Sequence, residues 1–499
     1  MLFLYSHNQS QASLADIWLP LGFTLVLATA LMCLARLIFH DSRRAGMMVT
    51  FFLFLFYSYG RVCQALRDRW PARYILASLV VLALYTVLIV VVCILLRRHK
   101  GTYHSMTRLL NAAVVALLVV PAVRIAAHAW ASDRAPVPLP SISLSSPPPP
   151  GGRAPQDLPD IYYIIMDRYA SAGTLRDVYG YDNGEFTGYL RGRGFYVADS
   201  STCNYARTDF SLASSLNLVY LTDLLEETRT PGRFMRAVYS WLQDHAVLRF
   251  LRQQGYRFVH FGSWWTPTSR NDRADLNVNR HILSEFSMVL YKTTMLYAVG
   301  AALGLDSHGE QWRRVPYEFQ RLKGMPAVAG PKFVFVHFLV PHEGFVFDRD
   351  GRFVSRTEQA RRALEENYVN QLVYTNRELT EAMESIITRS EKQPIVILQA
   401  DEGPRPVANF TPRNSVGDLR ARFGILNAYY LPGVDTSVLY PTITPVNSFR
   451  IVLNLYFDTN LELLPDRNFV LDSYDVREVT DVVARSTRGE AAPTGPAVH

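Results

Sequence analysis

The chain has 499 residues, 49% of them hydrophobic and 19% charged, a composition ordinary for a globular protein and a length that allows two to four domains. Its formal net charge of +7 belongs to the first quarter: residues 1–135 carry 13 Arg and Lys against 4 Asp, leaving 38 basic and 40 acidic residues for the rest. Basicity is therefore no sign of a nucleic-acid partner, because no basic stripe with interleaved aromatics remains once that quarter is removed.

Four apolar spans are predicted in the first quarter, at Ile17–Phe39, Met47–Cys63, Tyr74–Leu96 and Leu109–Trp130. Each is near bilayer length. Tyr74–Leu96 runs for 23 residues without a charge, which fits a spanning helix and little else. The others carry interruptions, Arg61 in the second and Asn111, Pro121 and Arg124 in the fourth, that bundle contacts or snorkelling can accommodate. Residues 1–131 read as a membrane domain of about four helices. Arg36, Arg43 and Arg44 flank the first connection, and Arg97, Arg98, Lys100 and Arg108 flank the third. Positive-inside logic places those loops in the cytoplasm, against the weaker vote of Arg61, Arg67, Arg69 and Arg73 at the second connection. The expectation is a multi-pass protein of the cell (inner) membrane, with its C-terminal part on the periplasmic or extracellular side. The first span starts too late and lacks the flanks of a removed signal peptide.

Residues 132–156 are rich in Pro, Ser, Gly and Ala and read as an extended linker; residues 486–499 read as a disordered tail. Between them, 157–485 alternates buried-strand signals with helical periods, which predicts one α/β domain. Strands are expected at Ile161–Met166, Tyr256–Phe261, Lys332–Leu339, Ile395–Ala400 and Phe423–Leu431, and a helix over Thr357–Ser390. Cys203 is the only thiol of this part, so no disulfide forms within it. The segment Val315–Ala329 and the pair Trp264–Trp265 read as exposed loop, with a substrate entrance as the rival.

Four stretches carry chemistry. The strand Ile161–Met166 ends in Asp167, an acid at the carboxyl end of a parallel strand, where ligands bind in open α/β sheets; a turn Asp is an equal reading. Thr208 begins a hydroxyl-rich run that includes Ser211, and serves there either as a helix cap or, beside a divalent ion, as a nucleophile. His337 and His342 bracket the end of a strand before a Pro-His-x-x-Phe turn. The strand Ile395–Ala400 ends in Asp401 and Glu402 before Gly403. Three carboxylates at two strand ends favour a hard divalent cation and are costly without one.

In this order the four stretches resemble the alkaline phosphatase and sulfatase superfamily, in its membrane-anchored branch of lipoteichoic acid synthases and phosphoglycerol and phosphoethanolamine transferases. The resemblance covers roughly residues 157–460 and implies an α/β/α sandwich with a mostly parallel sheet. It implies that Asp167, Thr208, Asp401 and Glu402 hold a metal and that Thr208 is the nucleophile. His342 and His337 would bind substrate or protonate the leaving oxygen, and Arg207 would neutralise its anionic group. Glu402 stands where the family places His or Asn, so the set is all oxygen and favours Mg, Mn or Ca over Zn. Cys203-Asn204-Tyr205-Ala206-Arg207 is similar to the sulfatase formylglycine signature, with Tyr205 where Pro or Ala belongs. The implied activity moves a phosphoryl-linked head group from a membrane lipid donor to a glycan or lipid acceptor. Ester hydrolysis and a non-catalytic role in envelope polysaccharide assembly are the alternatives.

Overall fold

The computed structural model describes residues 1–9, 12–69, 74–99, 103–133, 158–222, 231–280, 283–405, 416–472 and 475–487. The linker expected at 132–156 and the tail expected at 486–499 lie, but for their first residues, outside the described residues. The chain divides into two compact units. One comprises Met1–Pro136 with His281–Glu310, the other Val137–Arg280 with Gln311–His499.

The first unit contains α1 (Leu2–His7), α2 (Ala15–Phe39), α3 (Ser42–Arg69), α4 (Tyr74–Arg98) and α5 (His104–Asp133). The last four are long and apolar enough to cross a membrane, and their large apolar side chains, such as Leu37, Phe54, Leu84 and Leu117, are mostly exposed. A tight turn reverses the chain between α2 and α3. His40, left-handed at φ 52°, donates its N–H to Arg36 O at 2.9 Å, and Asp41 Oδ1 accepts from the N–H groups of Arg43 and Arg44, both at 2.8 Å. Polar pairs tie the helices together, among them Thr24 to Tyr57 at 2.6 Å and Ser58 to Tyr85 at 3.2 Å. The grouping of His281–Glu310 with these helices has no signal in the sequence pattern.

The second unit is built on a seven-stranded sheet. Its strands are β1 (Ile161–Met166), β2 (Tyr196–Val197), β3 (Arg257–Phe261), β4 (Leu276–Val278), β5 (Lys332–Phe338), β6 (Ile395–Ala400) and β7 (Asn427–Tyr430), in the order β2-β7-β6-β1-β5-β3-β4. The pairs β6–β1, β1–β5, β5–β3 and β3–β4 are parallel; β7 is antiparallel to both its neighbours. All six residues of β1 are buried because helices cover both faces of the sheet. Ile161, Tyr163 and Ile165 pack with Phe333, Phe335, Ile395 and Ile397 against a helix we call α8 (Thr208–Asn217), two short helices (Ala172–Tyr179, α6, and Gly184–Gly192, α7) preceding it. Tyr162, Ile164 and Met166 face the other core, filled by Leu372, Leu379 and Met383 of the helix Leu364–Arg389. The α/β sandwich behind an all-α bundle is the fold class expected from the sequence.

Three local expectations need correction. The expected strand Phe423–Leu431 is shorter: Val416–Phe423 is helical, and β7 begins only at Asn427. The expected helix Thr357–Ser390 is two helices, Arg356–Gln359 and Leu364–Arg389, because the Asn367 amide bonds the carbonyls of Gln359, Arg362 and Ala363 and fixes a turn between them. Val315–Ala329 is no exposed loop; Val315, Phe319 and Leu322 of the helix Ser307–Lys323 are buried in the core.

Candidate metal centre

Register decides which side chains meet. β6, β1 and β5 are adjacent and parallel, with Met166 opposite both Ala400 and Phe338, and Ile165 opposite both Gln399 and His337. Asp167 and Asp401 therefore follow the strands at one level, and His337 sits one residue back. Side chains alternate along a strand, so 337, 401 and 167, in step with Phe335, Gln399 and Ile165, project from the face that α8 covers. One donor atom from each of the three lies within 4.8 Å of the others, and all three residues are buried.

The donors are unspent. Asp167 Oδ1, Asp401 Oδ2 and His337 Nε2 have no hydrogen-bond partner. The other ring nitrogen, His337 Nδ1, lies 3.0 Å from Thr268 Oγ1, which is itself 2.8 Å from Ser263 Oγ. Burial, then the Glu402 charge, pushes Asp401 up to about 7 against the opposing influence of the nearby Thr208 hydroxyl. Burial and Asp401 raise Asp167 well above the usual carboxylate range. Burial, followed by His342 and His260, lowers His337 to about 3 and keeps it neutral. Two buried carboxylates and a neutral imidazole with free lone pairs suit a divalent cation, which would remove the cost of burying them.

The imidazole changes the argument about metal identity. The preference for Mg, Mn or Ca rested on an all-oxygen set, and a nitrogen donor in an Asp-His-Asp group also suits Zn and other transition ions.

Glu402, which the resemblance offers as a ligand, is placed elsewhere. Its carboxylate lies between two buried arginines, 3.0 Å from Arg168 Nε and paired with the Arg422 guanidinium, and it does not join the donor group. Burial would raise its pKa, but Arg422 and Arg168 overcome that and hold it at about 2. Arg422 also donates to Gly403 O at 2.6 Å and Ala206 O at 2.7 Å. Arg168, left-handed at φ 63°, bridges to Glu343 as well, and its N–H donates to Asp401 Oδ1 at 3.2 Å. Sequence reasoning passed over both arginines. Arg168 adjoins the strand-end acid and was within reach of it; Arg422 and Thr268 come from distant segments with no motif.

Thr208 opens α8 after Arg207, whose extended backbone is the helix cap. The Thr208 side chain is near enough to Asp401 to oppose the rise in its pKa, and Ser211 Oγ donates to Asp401 O at 2.6 Å, so the start of α8 is fastened to the end of β6. The Arg207 guanidinium is bound to Asp209 Oδ2 at 2.8 Å and lies 5.0 Å from the centre of the Phe210 ring. His342 places Nδ1 2.7 Å from Glu343 O and, with Arg168, Glu343 and Arg405, lines a small cleft. Burial, then Arg168, holds His342 well below its usual pKa. Cys203 is fully buried with its thiol toward Arg422 O at 3.7 Å, and burial pushes its pKa up, the reverse of what a reactive sulfur needs.

Fold and centre together define a class: a mostly parallel α/β domain with a buried carboxylate and imidazole donor set at the carboxyl ends of its central strands. No family model matches the chain, and no curated protein matches it. Among solved structures, it is similar to the C-terminal periplasmic domain of EptC from Escherichia coli, at 12% identity over 67% of this chain and 96% of that one, with a TM-score of 0.45. It is also similar to lipooligosaccharide phosphoethanolamine transferase A from Neisseria meningitidis (12%, 77% and 70%, TM-score 0.41) and to a protein in the alkaline phosphatase superfamily from Vibrio parahaemolyticus (10%, 64% and 75%, TM-score 0.39). Likeness at this distance says nothing of reaction or substrate.

Proposed function

We propose that the chain is a membrane-held, sulfatase-like phosphotransferase in which Asp167, His337 and Asp401 hold one divalent ion and Thr208 is the nucleophile. The observation that supports it most is the set of three unpartnered buried donors with a helix-start threonine beside one of them. The bound ion would lower the hydroxyl pKa and polarise the phosphoryl oxygen. Thr208 Oγ forms a bond to phosphorus as the bond to the leaving alcohol breaks, its proton passing by way of the neighbouring Asp401 to the leaving oxygen; an acceptor hydroxyl then takes the phosphoryl group and returns a proton to Thr208. Arg168 and Arg405 would supply positive charge for the anionic group, and His342, beside them in the cleft, would bind the substrate. The donor is a membrane phospholipid, the acceptor a glycan or lipid hydroxyl, and the second unit works outside the cytoplasm. Four membrane-length helices suit a substrate confined to the bilayer, where holding the enzyme at the surface raises effective concentration.

A second reading, a non-catalytic sulfatase-like domain, is favoured by one observation: Glu402 is consumed by Arg168 and Arg422 at the position where the resembled family keeps a ligand. The full chain in detergent, incubated with Mg, Mn, Ca or Zn and short-chain phospholipids, separates the readings by intact-mass and phosphopeptide analysis. A phosphoryl adduct on Thr208, absent from Thr208→Ala, is the expected result. Bound metal with no adduct but released alcohol would point to hydrolysis, and neither metal nor adduct to the non-catalytic role.

A further inference from the structure

The first unit contains a cavity of about 680 Å³ that the chemistry above does not use. That size lies within the roughly 300–1,000 Å³ of ligand sites. Its wall is formed by α1, the first turns of α2, the later part of α3, and residues 283–296, with side chains such as Phe23, Leu19 and Leu290. The lining is largely apolar and has no acidic residue. Its one arginine is Arg61, which has no hydrogen bond or ion pair among the described residues.

The cavity is built rather than incidental. The N–H of Met295 donates to Phe56 O at 3.0 Å, and the N–H of Gly60 to Thr293 O at 2.9 Å, so the 283–296 segment is fastened to α3 by its backbone. Only glycine permits this approach, since a Cβ on residue 60 would lie 1.9 Å from Lys292 O. Thr24 and Tyr57, both in the lining, are bonded at 2.6 Å and join α2 to α3. Arg61 stands 19 residues after the start of α3 at Ser42. At 1.5 Å per residue that is roughly 28 Å along the helix, against a hydrocarbon thickness of about 30 Å. Arg61 is thus near the end of a bilayer-length stretch, where a long side chain can carry its charge to the head-group level beside an apolar wall. At that level the guanidinium meets the phosphates of lipid head groups.

We propose that this cavity is a binding site for one glycerophospholipid, its phosphodiester on Arg61 and an acyl chain along Phe23, Leu19 and Leu290. The assignment deepens the lipid-donor reading by giving the lipid a place in the membrane unit. The site discriminates by the phosphate and the tail, and leaves the rest of the head group unheld.

Native mass spectrometry of the full chain, exchanged into detergent with added dimyristoyl phosphatidylglycerol, tests it. One lipid is retained per wild-type chain. Arg61→Gln lowers retention at least tenfold, Arg61→Lys keeps most of it, and Leu290→Trp, which fills the cavity, lowers it without touching the charge. Dimyristoylglycerol, which lacks the phosphate, and inorganic phosphate, which lacks the tail, fail to compete with the phospholipid. Equal retention by wild type and Arg61→Gln, or equal competition by dimyristoylglycerol, overturns the proposal; circular dichroism of each variant confirms that the helices persist. The outcome is separable from the proposed reaction, because Thr208→Ala leaves lipid retention intact. Retained lipid without a Thr208 adduct removes the transferase reading alone, and an adduct without retained lipid removes the cavity reading alone.

Discussion

The Thr268 hydroxyl, 3.0 Å from His337 Nδ1, decides which ring nitrogen faces the carboxylates. With Nδ1–H donating to the Thr268 hydroxyl, the neutral ring keeps its lone pair on Nε2 and its plane is fixed, as outer partners fix it for metal-bound histidines. Thr268→Val keeps the volume and removes the hydroxyl, and should weaken divalent-ion affinity by about 10–100-fold. Competition against a fluorescent chelator measures this, and Thr268→Ser should recover most of the loss. Unchanged affinity in Thr268→Val would remove the positioning role. The carboxylates set the pH response. Asp401 at about 7 and Asp167 raised beside it are both competed for by protons, so metal affinity should fall by about tenfold or more for each pH unit below 7. The same chelator assay between pH 5.5 and 8 checks the slope.

At the scale of elements, the ends of β1, β6 and the helix Val416–Phe423 are joined by the buried chain Arg168–Glu402–Arg422. Arg422→Met leaves Glu402 with one partner and should cost about 3–5 kcal/mol, since removing one member of a buried pair strands the other charge. Adding Glu402→Gln to that variant should restore part of the loss, read as the midpoint of chemical unfolding. The Glu402 carboxyl is held at about 2, so its contribution to stability is complete above its ordinary range near 4.5 and is lost as pH falls through about 2. Much of this level was legible in the sequence. β1 and β6 were bounded correctly because strands buried on both faces leave a continuous apolar run, and Asp167 and Asp401 were found because they end such runs. His337 was picked out, but for substrate rather than for the donor group, since only parallel register reveals that it projects with the two acids. The ion-pair partners of Glu402 could not be read, because Arg168, Glu402 and Arg422 meet only in three dimensions.

At the scale of the whole molecule, metal and pH act on stability together. The raised carboxyls of Asp167 and Asp401 favour the folded, metal-free state at low pH, and that contribution is lost as pH rises through about 7 for Asp401. A bound ion replaces it where it has gone. A saturating divalent ion should therefore raise the Tm of the full chain more at pH 8 than at pH 5.5, and an equal rise at both would argue that the ion binds elsewhere. The three donors also share a parity: 167, 337 and 401 sit on one face because each strand delivers its last side chains in step. Drift in this lineage is thereby constrained in count rather than in kind. Any apolar residue serves inside β1, β5 or β6, but deleting one residue from β5 would turn His337 to the far side of the sheet. Loops between the strands are free to lengthen at small entropic cost. Relatives of this chain would be recognised by where their acids and imidazole fall relative to strand ends, long after the letters between them had changed.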